Sequence, residues 1–407
     1  MKMLLKALSF ILVSSSSLLV ISCTNNKPSS SQNINSNTMN ANTRNNNEKK
    51  EEIIIKKPLT AEQQKQINDI FTSQQDAFAT FHTYQDVVDQ LQVFLAKEKL
   101  DEVKLFNKEE KDKTLQLDDS GTKNSIKIRV FGNEFEFKPK TVKNTVETIY
   151  SDDKKEKVVQ LGYSKKPEGK INYYVLNTLD QNTKEVPENL PLKVNSLSDA
   201  FKENKNEKIV NIDKWNTKNI VSFKNMFYSA KSFNQDISKW NTSNAENMSA
   251  MFFEAEKFNK PLDKWDVSKV KDMESIFDGA TVFNQNLNNW TTSSLVELTY
   301  GFRGALKFNQ PLDKWDVSNV KTMDGLFSEA YEFNQNITLW KTSNVESMNG
   351  MFSDAKAFNQ NLSNWDVKKV GNYQNFANGL QSTMTKDKLP KFNNMNKGDE
   401  HIYGLKK

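Results

Sequence analysis

From residue 212 onward the apolar positions of this chain recur every 25 residues. Trp215, Trp240, Trp265, Trp290, Trp315, Trp340 and Trp365 form one series, and Phe233, Phe258, Phe283, Phe308, Phe333 and Phe358, each followed by Asn, form another. Phe227 to Phe352, Ala230 to Ala355 and the aliphatic residues three before each Trp, from Ile212 to Leu362, keep the same step. Side chains repeated in every copy are what stacked units present to their neighbours, so these series predict the core of a tandem array rather than a ligand cage. In the copy from Phe258 to Thr281, the short stretch Leu262 to Trp265, bounded by Pro261 and Asp266, predicts one brief strand. Val270, Met273, Ile276, Phe277 and Ala280 then step by three and four, which predicts a short helix. Ser243 with Glu246, and Ser343 with Glu346, read as capping boxes at its start.

Upstream the period changes. Thr60 with Gln63 reads as a capping box, followed by Ile67, Ile70, Phe71, Phe78 and Phe81 at helical spacing. Thr83 with Asp86 begins a second helix with Val87, Val88, Leu91, Phe94 and Leu95 on one face. Alternation follows: Ile126, Ile128 and Val130 before Gly132-Asn133, then Phe135 and Phe137, predict a hairpin. Residues 145–150, 157–163 and 171–176 are further strand candidates, with Pro139 and Pro167-Glu168-Gly169 in loops. Together these predict a helical hairpin and a small antiparallel sheet leading into the repeats.

The first residues read as a targeting segment. Lys2 and Lys6 precede an apolar run from Leu8 to Leu19, and Val20-Ile21-Ser22 stand before Cys23. This order resembles a bacterial lipobox, which implies cleavage before Cys23 and diacylglycerol attachment to its thiol. Two acyl chains hold a protein stably on a bilayer. Cys23 is the only cysteine, so no intramolecular disulfide is expected. The expected layout is a lipoprotein signal peptide over 1–22, a lipidated, disordered, Asn- and Ser-rich tether over 23–56, the helical hairpin with its β region over 57–185, the repeats over 186–380, and a cap and tail over 381–407.

Composition narrows the chemistry. Net charge is only +5 and Lys alternates with Asp and Glu, so no nucleic-acid partner is expected. His82 and His401 are the only histidines, which argues against a histidine triad or a multi-histidine metal site. Neither a phosphate-binding loop nor a dinucleotide turn occurs. Carboxylates such as Asp263, Asp266, Asp313, Asp316 and Asp366 could in principle pair as glycosidases require, but repeated acids on an array read as caps or solvated residues. No enzyme activity, cofactor or metal is expected.

The pattern Phe-Asn-x-x-Leu-x-x-Trp-Asp-Val-Ser-x-Val-x-x-Met resembles the 25-residue repeat of mycoplasma surface lipoproteins related to the BspA-like leucine-rich repeats. The likeness runs from about Val194 to Leu380. It implies an α+β repeat solenoid, leucine-rich-repeat-like, with one short strand and one short helix per copy, and adhesion or host interaction as its use. The pattern is not uniform: Asp266, Asp316 and Asp366 follow their Trp, whereas Asn216, Asn241, Thr291 and Lys341 stand at that position in the other copies. Because the aspartates recur every 50 residues, as do Pro261 and Pro311, duplication of a two-copy block accounts for them.

The expected function is that of a lipid-anchored protein on the outer face of the cell membrane that binds a host protein or glycan. Asp236, Ser238, Lys239, Asp263, Lys264, Asp313, Lys314 and Thr338, which flank the core aliphatics, are the candidate exposed surface. The alternatives are a variable antigenic coat without a dedicated ligand, and a transporter accessory or enzyme acting through 57–185.

Overall fold

Each of the two α-helices among the described residues begins where a polar side chain turns back on the backbone. In this computed structural model, which describes residues 55–168, 171–380 and 384–393, Thr60 accepts from the Gln63 amide and Gln63 from the Thr60 amide at the start of α1 (Ala61–Ser73). Thr83 and Asp86 do the same for α2 (Tyr84–Lys97). Reciprocal capping satisfies two donors that a helix start leaves open, which is why both boundaries were readable. The expected signal peptide, the expected tether up to residue 54 with Cys23, Gly169 and His401 lie outside the described residues.

Phe78 and Phe81 do not continue α1. The Gln74 amide turns back to Ile70 O, and Phe78 instead enters β1 (Phe78–Ala79), which pairs in parallel with β5 (Thr141–Val142). There Phe78 meets Phe137 edge-on at 5.8 Å. The single expected sheet is several small ones. β2 (Val103–Leu105), β3 (Ile126–Val130) and β4 (Asn133–Phe137) are antiparallel neighbours, β7 (Ile149–Tyr150) pairs with β8 (Val158–Gln160), and β9 (Tyr163–Glu168) lies between β6 (Thr145–Val146) and β10 (Ile171–Leu176). The β3–β4 turn is Phe131-Gly132, one residue earlier than expected, because both residues hold positive φ (48° and 77°), as a two-residue hairpin turn requires. Pro167 is paired within β9 opposite Asn172 rather than in a loop. It is tolerated because β6 is too short to reach it, so its missing N–H faces no partner strand.

The largest departure is inside the repeats, where the expected short helix is replaced by consecutive turns. In the copy after Trp265, the Ile276 amide donates to Met273 O and the Ala280 amide to Phe277 O, closing two four-residue turns. The third residue of each, Ser275 and Gly279, has positive φ (54° and 71°), the requirement of a type II turn. The amides between them point elsewhere: Met273, Ser275, Phe277 and Gly279 donate to the carbonyls of Glu297, Thr299, Gly301 and Arg303 in the next copy, at 2.7–3.0 Å. A helix would spend every N–H on its own carbonyls. Linked turns place apolar side chains at the same three- and four-residue spacing while freeing alternate amides for the neighbouring copy.

Parallel bridges from Ser196 through Ser222, Asn247, Asp272, Glu297, Thr322 and Ser347 to Asn372 therefore fall where a helix was expected. The expected strand at Leu262 to Trp265 is itself a turn, closed by the Trp265 amide on Leu262 O at 3.1 Å. Ser243 and Ser343 cap nothing, since the Glu246 and Glu346 amides donate to Val221 O and Lys321 O of the preceding copies.

Positive φ costs a residue with a Cβ about 1–2 kcal/mol. Ala250 (φ 51°) occupies the turn position that Gly325 (φ 56°) and Gly350 (φ 61°) fill three and four copies later in the chain. Ala250→Gly is therefore expected to raise stability by about 1 kcal/mol, read as a higher urea midpoint at unchanged slope.

The interior is built of aromatic columns. Phe227, Phe252, Phe277, Phe302, Phe327 and Phe352 follow one another with ring centroids 5.5–5.7 Å apart. Phe233 to Phe358 form a second column at 5.8–6.1 Å. All seven tryptophans are buried, and each donates Nε1–H to a carbonyl 28 residues earlier, as Trp240 does to Ile212 O at 3.1 Å and Trp315 to Leu287 O at 3.0 Å. This bond explains the residue type: the position needs a large apolar body with one donor, which phenylalanine lacks. The core runs unbroken from Val146, Tyr163 and Leu176 across residue 185 into the array and on to Phe392. A second core, including Ile67, Leu91, Ile128 and Phe137, lies among α1, α2 and β2–β4.

Candidate binding surface

The two residues before each Trp sit in the turn that the Trp amide closes. Lys239, Asp263, Lys264, Asp313 and Lys314 are exposed there, as is Asp236 just before its turn, whereas Ser238 and Thr338 are half-buried. The difference has a local cause. Asp236 Oδ1 accepts from the Ser238 amide at 2.9 Å, and Asn336 Oδ1 accepts from both the amide and the hydroxyl of Thr338, so both residues are drawn back against the turn. In the remaining copies the same turn carries Asn288, Asn289, exposed Leu339 and exposed Asn364. Asn288 Nδ2 donates to Asp313 Oδ1 at 2.9 Å, which links two neighbouring turns.

The residue after Trp plays a defined part. Asn216, Asn241, Asp266, Asp316 and Asp366 each accept from the amide two residues on, an Asx turn, while no such bond is made by Thr291 or Lys341. Bonds from Ser268 and Ser318 hold the Asp266 and Asp316 carboxyls below the usual aspartate range, and the Ser238 bonds do so for Asp236. These acids are thus committed to turn geometry. One position further on, Thr242, Thr292 and Thr342 donate to the carbonyls of Asp266, Asp316 and Asp366, while the intervening copies bury Val267, Val317 and Val367. The 50-residue alternation therefore reaches into the packing.

The Asn after each Phe forms a ladder whose role the sequence did not disclose. Asn234, Asn259, Asn284, Asn309 and Asn334 each accept, through Oδ1, the amide of the next Asn in the series at 2.9–3.1 Å. Lys388 Nζ ends the ladder on Asn359 Oδ1 at 2.6 Å. Recurrence of Phe-Asn in six copies was the available signal.

Outside the array, His82 is not in a helix but lies buried between β1 and α2. Nδ1 lies 3.1 Å from both the amide nitrogen and the carbonyl oxygen of Ala79, and Nε2 shares a hydrogen bond of 2.8 Å with the Tyr163 hydroxyl. Burial is the main cause that lowers its pKa to about 4, with the bond to Ala79 and nearby Asp86 opposing and Lys193 assisting. Burial also pushes the Tyr163 hydroxyl upward. A depressed folded value leaves stability intact above pH 6.5, the unfolded value, and removes it as pH falls toward the folded value of about 4. His82 is the only histidine among the described residues. Stability is expected to drop by about 2 kcal/mol between pH 7 and pH 5 in urea titrations, and His82→Gln is expected to flatten that drop.

A cavity of about 70 Å³ lies where α2 meets the start of the array, lined by residues that include Gln90, Phe94, Tyr163 and Asn189. It has room for a few waters rather than an organic substrate. Among the described residues no group of three His, Cys, Asp or Glu side chains could hold a metal ion, and no helix is long and apolar enough to cross a membrane.

The family model described as "Mycoplasma protein of unknown function, DUF285" matches the chain twice, over residues 195–305 and 285–392. The array is similar to this mycoplasma family. Its two matched spans overlap and together run from the Ser196 bridge to the segment that carries Lys388, so the likeness to the mycoplasma family coincides with the stacked copies. No curated protein and no solved structure matches the chain.

Proposed function

We propose that the chain is a mycoplasma surface lipoprotein, anchored through Cys23, whose array is a repeat solenoid of the leucine-rich-repeat kind that binds a host or cell-surface macromolecule. The reading is supported chiefly by the division of labour within each copy. Rings, Trp Nε1–H groups and the Asn ladder are spent on neighbouring copies and keep one residue type. The turn before each Trp is solvent-facing and changes type from copy to copy, passing through Asp-Lys, Asn-Asn and Thr-Leu. A surface that varies on a scaffold that does not is suited to recognition. Its mixture of Lys, Asp and Asn fits a protein or a glycan.

The test uses the chain from Thr24, without the anchor, applied to host cells and matrix proteins at physiological salt. Saturable binding is expected, weakened at least about tenfold when Lys239, Lys264 and Lys314 are changed together to Glu. Saturable binding untouched by that triple change would remove the assigned surface, and no saturable binding would remove the adhesive role. The anchor is tested separately: radiolabelled fatty acid should enter the wild-type chain in a mycoplasma and should not enter a Cys23→Ser chain.

The alternation of Thr and Val after each Trp favours a second reading, a variable coat. Two-copy blocks that pack identically could be gained or lost by recombination without disturbing their neighbours. Comparison among strains should then show length changes in steps of 50 residues, whereas a receptor for one ligand would keep its copy number.

A further inference from the structure

Two short strands outside the array present apolar side chains to solvent. In β5 the alternation of a strand turns Thr141 inward and Val142 outward, and in β7 Ile149 is exposed beside half-buried Tyr150. Val142 and Ile149 line one open cavity of about 280 Å³, and Phe78 of β1, itself buried, forms its base. The surrounding backbone is tied together. The Thr80 amide donates to Val142 O at 3.1 Å, and Gln160 Nε2 of β8 donates to the carbonyls of Asp76 and Glu147 at 3.3 and 3.1 Å. The hollow is thus built by the fold and does not wait for an occupant to open it.

Its rim is acidic. Asp76, Asp119 and Glu147 are exposed there against one lysine, Lys140, whose Nζ already lies 4.0 Å from Asp76 Oδ1. Asp119 and Glu147 have no cation at ion-pair distance among the described residues. An apolar hollow flanked by two uncompensated carboxylates is selective. Phosphate, nucleic acid and anionic lipid headgroups are repelled by it. Its volume lies below the range of about 300–1,000 Å³ usual for cofactor and small-molecule sites, and Phe78 is its only aromatic lining, too little for a quaternary ammonium cage. An apolar side chain with a Lys or Arg beside it complements both features, since the first fills the hollow and the second reaches the carboxylates at the rim.

We propose that this cavity is a docking site for a partner protein, which inserts an apolar side chain flanked by Lys or Arg between Val142 and Ile149 and pairs the cation with Asp119 and Glu147. The site is separate from the turns before each Trp, does not depend on adhesion by the array, and gives the region before the repeats a recognition surface of its own.

Methyl NMR of the full chain tests this with a pool of blocked hexapeptides in which Lys or Arg alternates with Leu, Ile or Val. Saturable shifts of the Val142 and Ile149 methyl signals are expected, with affinity reduced at least about tenfold by Asp119→Lys combined with Glu147→Lys, and reduced again by about 0.5 M salt. Both acids are exposed and unpaired, so the double variant is expected to fold. Should it fail to do so, Ile149→Ser decides the matter and should weaken binding to a similar degree. Unmoved Val142 and Ile149 methyl signals with the basic pool would overturn the proposal, as would equal shifts with a pool carrying Glu in place of Lys and Arg, or an affinity unchanged by the substitutions. Shifts produced by phosphatidylglycerol vesicles, or by raising the protein concentration without peptide, would overturn it in favour of a membrane contact or a second copy of the chain.

Discussion

Trp290→Ala is expected to destabilise the chain by about 4 kcal/mol, the upper range for removal of a large aromatic from a core. Trp290 lies mid-array at 2% exposure, 6.0 Å from the Trp315 ring and 6.5 Å from Phe277. Each copy packs only against its neighbours, so the cavity cannot be filled from elsewhere, and collapse would shift two copies at once. Trp290→Phe separates the two contributions of the side chain. It retains most of the apolar contact but leaves Leu262 O, which accepts Nε1–H at 2.9 Å, without its donor. An unpaired buried carbonyl costs about 1–3 kcal/mol, so this variant should lose about 2 kcal/mol. Urea unfolding followed by circular dichroism distinguishes the cases. A neutral Trp290→Phe would mean that the indole bond contributes nothing and that tryptophan recurs for its size alone.

What the sequence revealed follows from how local each signal is. The caps at Thr60 and Thr83, the hairpin strands around Phe131-Gly132 and the 25-residue column positions all rest on contacts within a few residues or on exact repetition, and all are present. The secondary structure inside the copies was misread because apolar spacing reports which side chains share a face and not where the amides point. Val270, Met273, Ile276, Phe277 and Ala280 share a face in either case, and the decision belongs to Ser275 and Gly279, whose left-handed backbone ends each turn and frees amides for the next copy. Gly279, Gly304, Gly325 and Gly350 hint at this, but alanine, tyrosine and glutamate fill the equivalent positions at Ala250, Tyr300 and Glu254. The candidate surface was legible as residues alternating with the core, apart from Ser238 and Thr338, whose bonds to Asp236 and Asn336 were not foreseen.

One copy departs from the consensus with a charge in the interior, and it sets the second large effect. Asp278 is 4% exposed, whereas the equivalent positions one and two copies earlier carry Phe253 and Tyr228. Both its oxygens meet Arg303 of the following copy, Oδ1 receiving Nε–H at 3.0 Å and Oδ2 lying 2.8 Å from a terminal guanidinium nitrogen. Arg303 also rests on the Tyr300 ring at 4.4 Å, and a Cβ on Gly325 would come within 2.5 Å of that ring. Burial pushes the Asp278 carboxyl upward despite the guanidinium, so the pair is needed to keep it charged. Arg303→Met removes the partner and leaves a buried carboxylate, which costs 3–5 kcal/mol in a dry interior. Since Arg303 is 41% exposed and water reaches part of the pair, about 2 kcal/mol is expected at pH 7. The loss should shrink on acidification. A carboxyl with a raised folded pKa contributes its full stability below the unfolded value of 3.8 and loses it as pH rises through the folded value. Asp278→Phe with Arg303→Met, which restores the ring of the earlier copies, should recover most of the loss and abolish its pH dependence. If urea titrations of Arg303→Met at pH 7 and pH 5 show the same deficit, the buried charge is not its cause.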